Sequence, residues 1–192
     1  MKKIQIGTNV FPPMPVVLVG TELDGKPNFM TAGWVTRVNA SPPMIALSIN
    51  RIHATPDGIR KNKTFSINFP TTAMVREADY CGLISGKDTD KSGIFDLFRG
   101  KLTGAPMVQD CPLTMECRVA ETIELPTNRL FIGEIVSAYA NQDLETGGKT
   151  DMKALDPLLL TMPDNRYWAL GGCAGKAWSE GKHLVKRTKH KK

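Results

Sequence analysis

The stretch from Asn28 to Thr55 most constrains how this chain can fold. It holds two strand-like runs, Ala32–Val38 and Met44–Asn50, and the turn Ser41-Pro42-Pro43 joins them. Successive side chains of a strand point to opposite faces. In the second run one face is apolar and the other carries small or polar groups: Ile45, Leu47 and Ile49 against Ala46, Ser48 and Asn50. The apolar face is predicted to pack in a core, whereas the other leaves room for a flat ligand.

The residues directly after the second run predict a corner suited to a phosphate. Arg51 and His53 supply cations, and Thr55-Pro56-Asp57 predicts a helix to about Lys61 with Thr55 as its N-cap. A helix N-terminus presents unpaired N–H groups and partial positive charge, which favour an anion. The same pattern is typical of many ordinary strand-to-helix connections, and Arg51 alone is more typical of a solvated surface charge. The pattern is therefore compatible with, but not unique to, a planar ligand that carries a phosphate.

The rest of the chain predicts more short strands and a few short helices. Strands are predicted at Val16–Thr21, Thr64–Phe69, Pro112–Ile123, Leu130–Tyr139, Leu158–Thr161 and Tyr167–Leu170. Helices are predicted from Thr72 to about Leu83 and over Ile94–Phe98. Asp24-Gly25 predicts a hairpin turn and Gly147-Gly148 a flexible loop. These elements together predict a mainly β fold, a largely antiparallel β-barrel with a few short helices.

An ordered set of motifs carries a resemblance to a known family. The motifs are Asn28–Thr36, Pro42–Asn50, His53 with Thr55, Asn68-Phe69-Pro70, Cys81-Gly82, Ser85-Gly86, Asp90-Lys91 and Leu130–Ile135. In this order they resemble the flavin reductase-like family, the FMN-binding split barrels that include the flavoredoxins. The resemblance runs from about Pro13 to about Gly181. It implies a single flavin reductase-like domain over residues 1–181 with the split-barrel fold.

The resemblance also implies which residues bind FMN, non-covalently. The backbone of Met30–Trp34 would line the edge of the isoalloxazine, and Trp34 would be either a pocket wall or a core aromatic. Ser48, Ile49 and Asn50 would line the ribityl side, and the residues expected at the phosphate are Arg51, His53, Thr55 and Lys91. The full implied set is Asn28, Met30, Thr31, Ala32, Gly33, Trp34, Ser48, Ile49, Asn50, Arg51, His53, Thr55 and Lys91.

Composition predicts one domain with a sizeable core. The chain has 192 residues, of which 41% are hydrophobic. No apolar run approaches the ~20 residues that span a bilayer. Prolines at Pro12, Pro13 and Pro15 interrupt the apolar residues after the N-terminal lysines, so no signal peptide is expected. A cytoplasmic protein is the resulting expectation.

The excess positive charge is confined to the C-terminal end. The formal net charge is +6, and residues 182–192 hold six of the 25 Lys and Arg and no acid, so the other 19 balance the 19 Asp and Glu. Such a tail is expected to be a disordered, solvated end. A nucleic-acid contact through it is the weaker alternative, which strongly salt-dependent DNA retention lost on deleting the tail would reveal.

No pattern indicates a metal site or a catalytic nucleophile. The four cysteines, of which Cys81 lies in a resembling motif, include no C-x-x-C pair, and the three histidines have no metal-ligand spacing. Cys81 itself is better interpreted as a small buried side chain than as a redox group. Neither a G-x-S-x-G elbow nor a glycine-rich nucleotide fold is present. NAD(P)H, if it is the electron donor, would have to stack directly on the flavin.

Two function classes follow. One is an FMN-dependent oxidoreductase, an NAD(P)H-dependent flavin reductase-like enzyme that delivers electrons to a small-molecule or protein acceptor. The other is a flavoredoxin-type electron carrier without its own small-molecule substrate. In either case a homodimer is expected, with FMN at or near the subunit boundary. The apolar part of Asp151–Trp168 would then either cover the flavin of a partner chain or belong to the chain's own core.

Overall fold

The computed structural model describes residues 1–146, 149–182 and 184. Its strands are β1 (Met14–Pro15), β2 (Val17–Leu23), β3 (Lys26–Ala32), β4 (Val35–Asn39), β5 (Met44–Asn50), β6 (Thr64–Phe69), β7 (Leu97–Phe98), β8 (Met107–Val108), β9 (Leu113–Glu124), β10 (Asn128–Ala140), β11 (Glu145–Thr146), β12 (Lys149–Thr150), β13 (Leu158–Thr161) and β14 (Arg166–Ala169). The α-helices are α1 (Thr55–Asn62), α2 (Val75–Leu83) and α3 (Met152–Leu155), and 3₁₀ turns span Thr72–Met74, Ser92–Ile94 and Gln142–Leu144. In the described part of the chain, no helix combines the length and apolarity that a membrane crossing requires.

Seven strands form one antiparallel sheet that curls into a barrel. Their order is β3-β2-β6-β9-β10-β5-β4, so β3 and β4 are the two edges. Only Gly33 and Trp34 separate these edges along the chain. Because three residue steps extend about 10 Å at most, the two edges must approach each other there. The barrel is therefore split at Gly33–Trp34, and the predicted mainly β, split-barrel fold is confirmed.

Alternation along the strands separates two apolar layers. The barrel interior is filled by Ile45, Leu47 and Ile49, as predicted, together with Phe65 and Phe131 and their neighbours. A second layer lies between the outer face of the sheet and α2, where Leu18 and Phe29 contact Ala78 and Cys81. The helix predicted from Thr72 to about Leu83 corresponds to the 3₁₀ turn followed by α2.

Two predicted elements are wrong. The run Ala32–Val38 is not one strand, because the chain crosses the barrel split between the end of β3 and the start of β4. The helix predicted over Ile94–Phe98 is a 3₁₀ turn followed by β7, which pairs with β8. That pairing partner lies ten residues further on, beyond the reach of a local pattern. The predicted Gly147-Gly148 loop lies outside the described residues, as does most of the basic tail, residue 183 and residues 185–192.

A small second sheet covers one end of the barrel split. It has the order β1-β13-β14, and the hairpin Leu158–Ala169, hereafter the flap, supplies two of its three strands. Leu158 is 2% exposed and packs in the second apolar layer, where Leu160 and Tyr167 also contact it. The apolar part of Asp151–Trp168 thus belongs to the chain's own fold.

Candidate functional site

A groove of about 350 Å³ follows the barrel split. We call this cavity the split groove. Residues from both sides of the barrel split line it: Met14, Met30, Thr31, Ala32, Gly33, Trp34, Ser48, Ile49, Asn50, His53, Asn128, Leu160 and Met162. Nine of the predicted site residues are among them. The first strand-like run and the second therefore meet around one cavity, as their sequence patterns predict.

A smaller cavity of about 100 Å³ continues the groove at the start of α1. This corner cavity is lined by Met30, His53, Ala54, Thr55, Cys81, Gly82, Leu83, Ile84, Ser85, Gly86 and Lys91. It shares Met30 and His53 with the split groove, so the two cavities adjoin each other at these residues. Their shape suits a flat ligand in the groove with a polar tail in the corner.

Strand β3 offers an open backbone edge along the groove. It pairs with β2 on one side only, and no strand of the described residues pairs with its other edge. Such an edge presents N–H and C=O groups that can pair with a ligand's ring edge. The Thr31 hydroxyl donates to the carbonyl of Ala78 and so fastens this edge to α2.

Trp34 is a wall and not a core aromatic. It is 46% exposed, and its ring stacks on Phe11 with centroids 6.2 Å apart and an interplanar angle of 25°. Its carbonyl accepts a hydrogen bond of 2.9 Å from the amide of Ser48, which fixes the backbone at the split. The indole therefore borders the groove at the rim of the barrel.

Buried positive charge defines the corner cavity. Lys91 is only 2% exposed, and its Nζ donates to the carbonyls of Cys81 at 3.3 Å and Ile84 at 2.9 Å. Burial lowers the pKa of Lys91. Burial, and then the charges of Lys91 and Lys87, lower the pKa of the partly buried His53. Of the described residues that line the corner, none is an acid, so the cavity favours an anion.

Thr55 and Asn28 hold the start of α1 in a way that differs from the predicted cap. The N-cap of α1 is Ala54 in a helical conformation, and no side chain caps it. The Thr55 hydroxyl instead accepts a 3.0 Å hydrogen bond from Asn28 Nδ2, in a buried contact. Thr55 as N-cap is therefore a wrong prediction, although Pro56 does lie in the first turn. Asn28 acts from β3, behind the corner cavity.

Arg51 points away from both cavities. Its Nη2 donates to the carbonyl of Pro126, and its Nη1 lies 3.8 Å from Glu124 Oε2. The guanidinium is thus held by Glu124 at the end of β9 and by Pro126 in the β9–β10 turn, and Arg51 lines neither cavity. Of the four residues expected at the phosphate, the structure brings together His53, Thr55 and Lys91.

The second wall of the groove comes from the same chain. Met14 of β1 and Leu160 and Met162 of the flap line the groove across from the β3–β5 face. Asn128 of β10 adds a polar group at the floor, where its Nδ2 donates to Ser48 Oγ at 3.2 Å. Met14 and Asn128 were not predicted, because they lie outside Asn28–Thr55 and no local motif marks them. Leu160 and Met162 lie in the Asp151–Trp168 region, which was considered as a wall for the flavin of a partner chain, whereas here they line the groove of their own chain.

The corner contains a further segment without a predicted role. Residues 82–86 line it, and although Gly82, Ser85 and Gly86 lie in the resembling motifs, no function was assigned to them. Their presence in those motifs was the sequence signal that could have identified them as residues of the site. Cys81, also in this segment, is 1% exposed, and burial raises the pKa of its thiol to about 11, which Lys91 partly opposes. A protonated, buried thiol agrees with its interpretation as a small packing residue.

The residues present fit FMN. The buried Lys91 ammonium has two carbonyl partners, and within the described chain no carboxylate lies at salt-bridge distance to balance its charge. A buried cation without a counter-charge is costly, so an anionic group in the corner would stabilise the site. A phosphate meets that need, and the apolar walls of the split groove suit an isoalloxazine ring. The described residues include no cluster of three or more potential metal ligands.

Known proteins are similar to this chain over the residues that line the two cavities. The model of the flavin reductase like domain matches residues 12–167, a range that contains every residue lining the two cavities. The solved flavoredoxin of Methanosarcina acetivorans is 54% identical with a TM-score of 0.94, covering 96% of this chain and 100% of that one. The flavoredoxin of Desulfovibrio vulgaris (Miyazaki F) is 33% identical with a TM-score of 0.86, covering 95% and 100%. The FMN reductase (NADH) RutF of Pseudomonas syringae pv. syringae is 26% identical over 122 residues, 63% of this chain and 67% of that protein.

Proposed function

This chain belongs to the flavin reductase-like family, and on that premise we propose that it is an FMN-binding flavoprotein oxidoreductase. In this proposal hydride or electrons pass from NAD(P)H or another donor through FMN to a small-molecule or protein acceptor. The observation that carries it is the adjoining pair of cavities, the split groove and the corner cavity, with the buried cation Lys91 lining the corner. A general flavin-dependent redox role accords with the FMN reductase and flavoredoxins to which the chain is similar.

Each cavity has a separate task in this proposal. The open edge of β3 pairs with the ring edge, and Met14, Leu160 and Met162 keep water from one face of the groove. His53, Thr55 and Lys91 hold the phosphate. Bound FMN supplies the hydride and electron transfer chemistry itself. The chain's own residues bind, orient and desolvate, and no side chain in either cavity is assigned as a nucleophile or general base.

FMN is proposed in preference to FAD. The corner cavity is small, about 100 Å³, and is lined by the buried cation Lys91 and by His53, which suits a single phosphate. Acid extraction of the purified protein followed by chromatography tests this assignment, and we expect mainly FMN. Recovery of mainly FAD would contradict the proposal. So would a colourless protein that does not bind added FMN, as judged by the absorption spectrum.

A flavoredoxin-type electron carrier is the second candidate function. It is favoured by the likeness to two flavoredoxins over nearly the whole of this chain and the whole of theirs. Stopped-flow reduction of the FMN-loaded protein by NADH and by NADPH separates the two candidates. Rapid bleaching of the flavin absorbance supports the reductase. A flavin that stays oxidised with both nucleotides but accepts electrons from dithionite supports the carrier.

A further inference from the structure

We propose that Tyr167 and Asp79 form a positioning pair that holds the flap against the split groove and so limits solvent access to a ligand bound there. The inference rests on the proposed function for the identity of that ligand. It concerns residues outside both cavities, which act through the groove wall and not by contact with the flavin.

The flap supplies a wall of the groove opposite Gly33. Leu160 and Met162 line the groove, and Leu160 Cδ2 would lie 3.7 Å from a Cβ atom placed on Gly33, across the barrel split. Met14 Sδ would lie 3.5 Å from the same position. The flap thus reaches the split directly, and its distance from Gly33 sets the width of the groove.

Tyr167 is the strand partner of the wall residue Leu160. In the β13–β14 pairing these two residues stand directly opposite each other. Opposed residues of an antiparallel pair share one face and lie about 5 Å apart at their Cβ atoms. Both side chains also pack on the second apolar layer. A displacement of Tyr167 is therefore passed on to Leu160.

The hydroxyl of Tyr167 ties the flap to α2. It donates a 2.9 Å hydrogen bond to Asp79 Oδ1. Burial, and then Asp79, raise the pKa of Tyr167 to about 12, so the hydroxyl keeps its proton and remains a donor at neutral pH. The last turn of α2 lines the corner cavity through Cys81, Gly82 and Leu83. One hydrogen bond thus connects the wall of the groove to the helix that forms the corner.

The other end of the flap is held independently. Asp156 Oδ2, just before β13, accepts hydrogen bonds from the backbone amide of Thr72 at 3.0 Å and from its hydroxyl at 2.5 Å. Strand β13 also pairs with β1. Loss of the Tyr167 hydroxyl should therefore loosen β14 and the facing Leu160 while the barrel remains folded. The chain contains a matched control, because Tyr139 donates in the same way to Glu116 Oε1 at 3.0 Å and lines neither cavity.

The test compares Tyr167→Phe with Tyr139→Phe. Each substitution removes one tyrosine hydroxyl that donates a hydrogen bond to a carboxylate. In flavin-free protein we expect faster amide hydrogen exchange over the flap in Tyr167→Phe only. In FMN-loaded protein we expect flavin release and iodide quenching of flavin fluorescence to rise about three- to tenfold in Tyr167→Phe, as loss of one hydrogen bond allows. Asp79→Ala should reproduce these changes without adding to them in the double variant, whereas Asp79→Asn, which keeps an acceptor oxygen, should stay near wild type.

Two results would overturn the inference, and they are distinguishable from failure of the proposed function. If the rate of amide hydrogen exchange over the flap were the same in Tyr167→Phe as in the wild type, the pair would not hold the flap, whatever the ligand is. Equal flavin release and quenching in the two tyrosine variants would show that the pair does not control access, while the proposed function stands. If wild-type protein binds no FMN, the proposed function fails, and the part of the inference that concerns ligand access fails with it.

Discussion

At the scale of single residues, His53 is the side chain that joins the two cavities. It lines both the split groove and the corner, whereas the neighbouring cation Arg51 lines neither. A hydrogen bond that involves a charged group contributes ~1.5–3 kcal/mol, which corresponds to tenfold or more in affinity. We therefore expect His53→Ala to weaken FMN binding at least about tenfold. Fluorescence titration of apo protein with FMN measures this loss.

Arg51→Ala is the matched control for that prediction. Since its guanidinium bonds the Pro126 carbonyl, its removal should change FMN affinity little. The melting temperature of apo His53→Ala should stay close to that of the wild type, because the imidazole is only partly buried. A collapse of the apo protein would show instead that His53 is structural, and equal losses in both variants would show a general charge effect.

The lowered pKa of His53 predicts how FMN affinity depends on pH. In the flavin-free protein the imidazole titrates below its usual 6.5, because burial and then Lys91 and Lys87 disfavour its charged form. A bound phosphate favours the imidazolium and raises this pKa, so binding takes up a proton between the two values. The contribution of His53 to affinity should therefore grow as the pH falls through that interval. The ratio of the His53→Gln dissociation constant to the wild-type one, measured across about pH 5–8, should rise as the pH falls.

The titration of the FMN phosphate itself is common to both proteins, so only the change of this ratio with pH reports on His53. A nuclear magnetic resonance titration of the His53 ring provides a direct check, with His53→Gln used to assign its signal. Its pKa should be below 6.5 without FMN and higher with FMN. An unchanged ring pKa on saturation would place the phosphate elsewhere.

At the scale of elements, the passage from β3 to β4 controls the groove through Gly33. A Cβ atom there would meet Met14 Cβ at 3.4 Å and Leu160 Cδ2 at 3.7 Å, which are ordinary contacts, so Gly33→Ala should fold. The added methyl group would nevertheless occupy the groove between its two walls. We expect FMN affinity to fall by about 1 kcal/mol or more, in the range of other overpacking changes. Isothermal titration calorimetry of the apo proteins with FMN measures this loss of affinity.

Gly20→Ala is the contrasting substitution in the barrel. A Cβ atom at this position would collide with the Pro106 carbonyl and Ser66 Oγ, and would lie 2.8 Å from Phe29 Cε1. This variant should lose about 1–3 kcal/mol of unfolding free energy, measured by urea denaturation, whereas Gly33→Ala should lose much less. If both glycine variants lost equal stability with unchanged FMN affinity, the groove would not be where the ring binds.

At the scale of the whole molecule, we keep the prediction of a homodimer with FMN at or near the subunit boundary. An apolar hollow of about 520 Å³ adjoins the split groove, with which it shares Met14, Gly33, Trp34 and Ser48. Trp34, which lines this hollow, is 46% exposed, and Val38 is 47% exposed on strand β4, whose residues Val35 and Thr36 line the hollow. Exposed apolar patches of this kind commonly mark interfaces, and twofold pairing is the commonest closed assembly.

Light scattering coupled to size exclusion, with and without FMN, tests this assembly. We expect a dimer in both conditions, and Val38→Glu, on the exposed edge strand β4, should weaken it. The flap already covers part of the groove from within the chain, so the partner is not needed for the wall formed by Leu160 and Met162. A monomer at micromolar concentration that retains its flavin would refute a shared site.

Much of the fold and about half of the residues that line the candidate site could be predicted from sequence. Alternation identified β5, β6 and β9 and the buried face of β5, because a strand's period of two is a local property. The ordered motifs placed Met30–Trp34, Ser48–Asn50 and His53 at one cavity. Glu116 is a residue whose burial the alternation pattern does not predict. It lies on the polar side of the β9 alternation but is fully buried, because its carboxylate accepts hydrogen bonds from the Lys101 and Leu102 amides and from Tyr139.

The sequence by itself determined the strands, the order of the motifs and the chemistry available at the corner. The tertiary structure alone decided the direction of Arg51, the partner of Thr55 and the origin of the second wall. Each of these depends on a contact between distant residues, such as Asn28 with Thr55 or β1 with β13. Local pattern records which side chains are present and their period, but only the closure of the barrel brings the two edges, the flap and α2 around one groove.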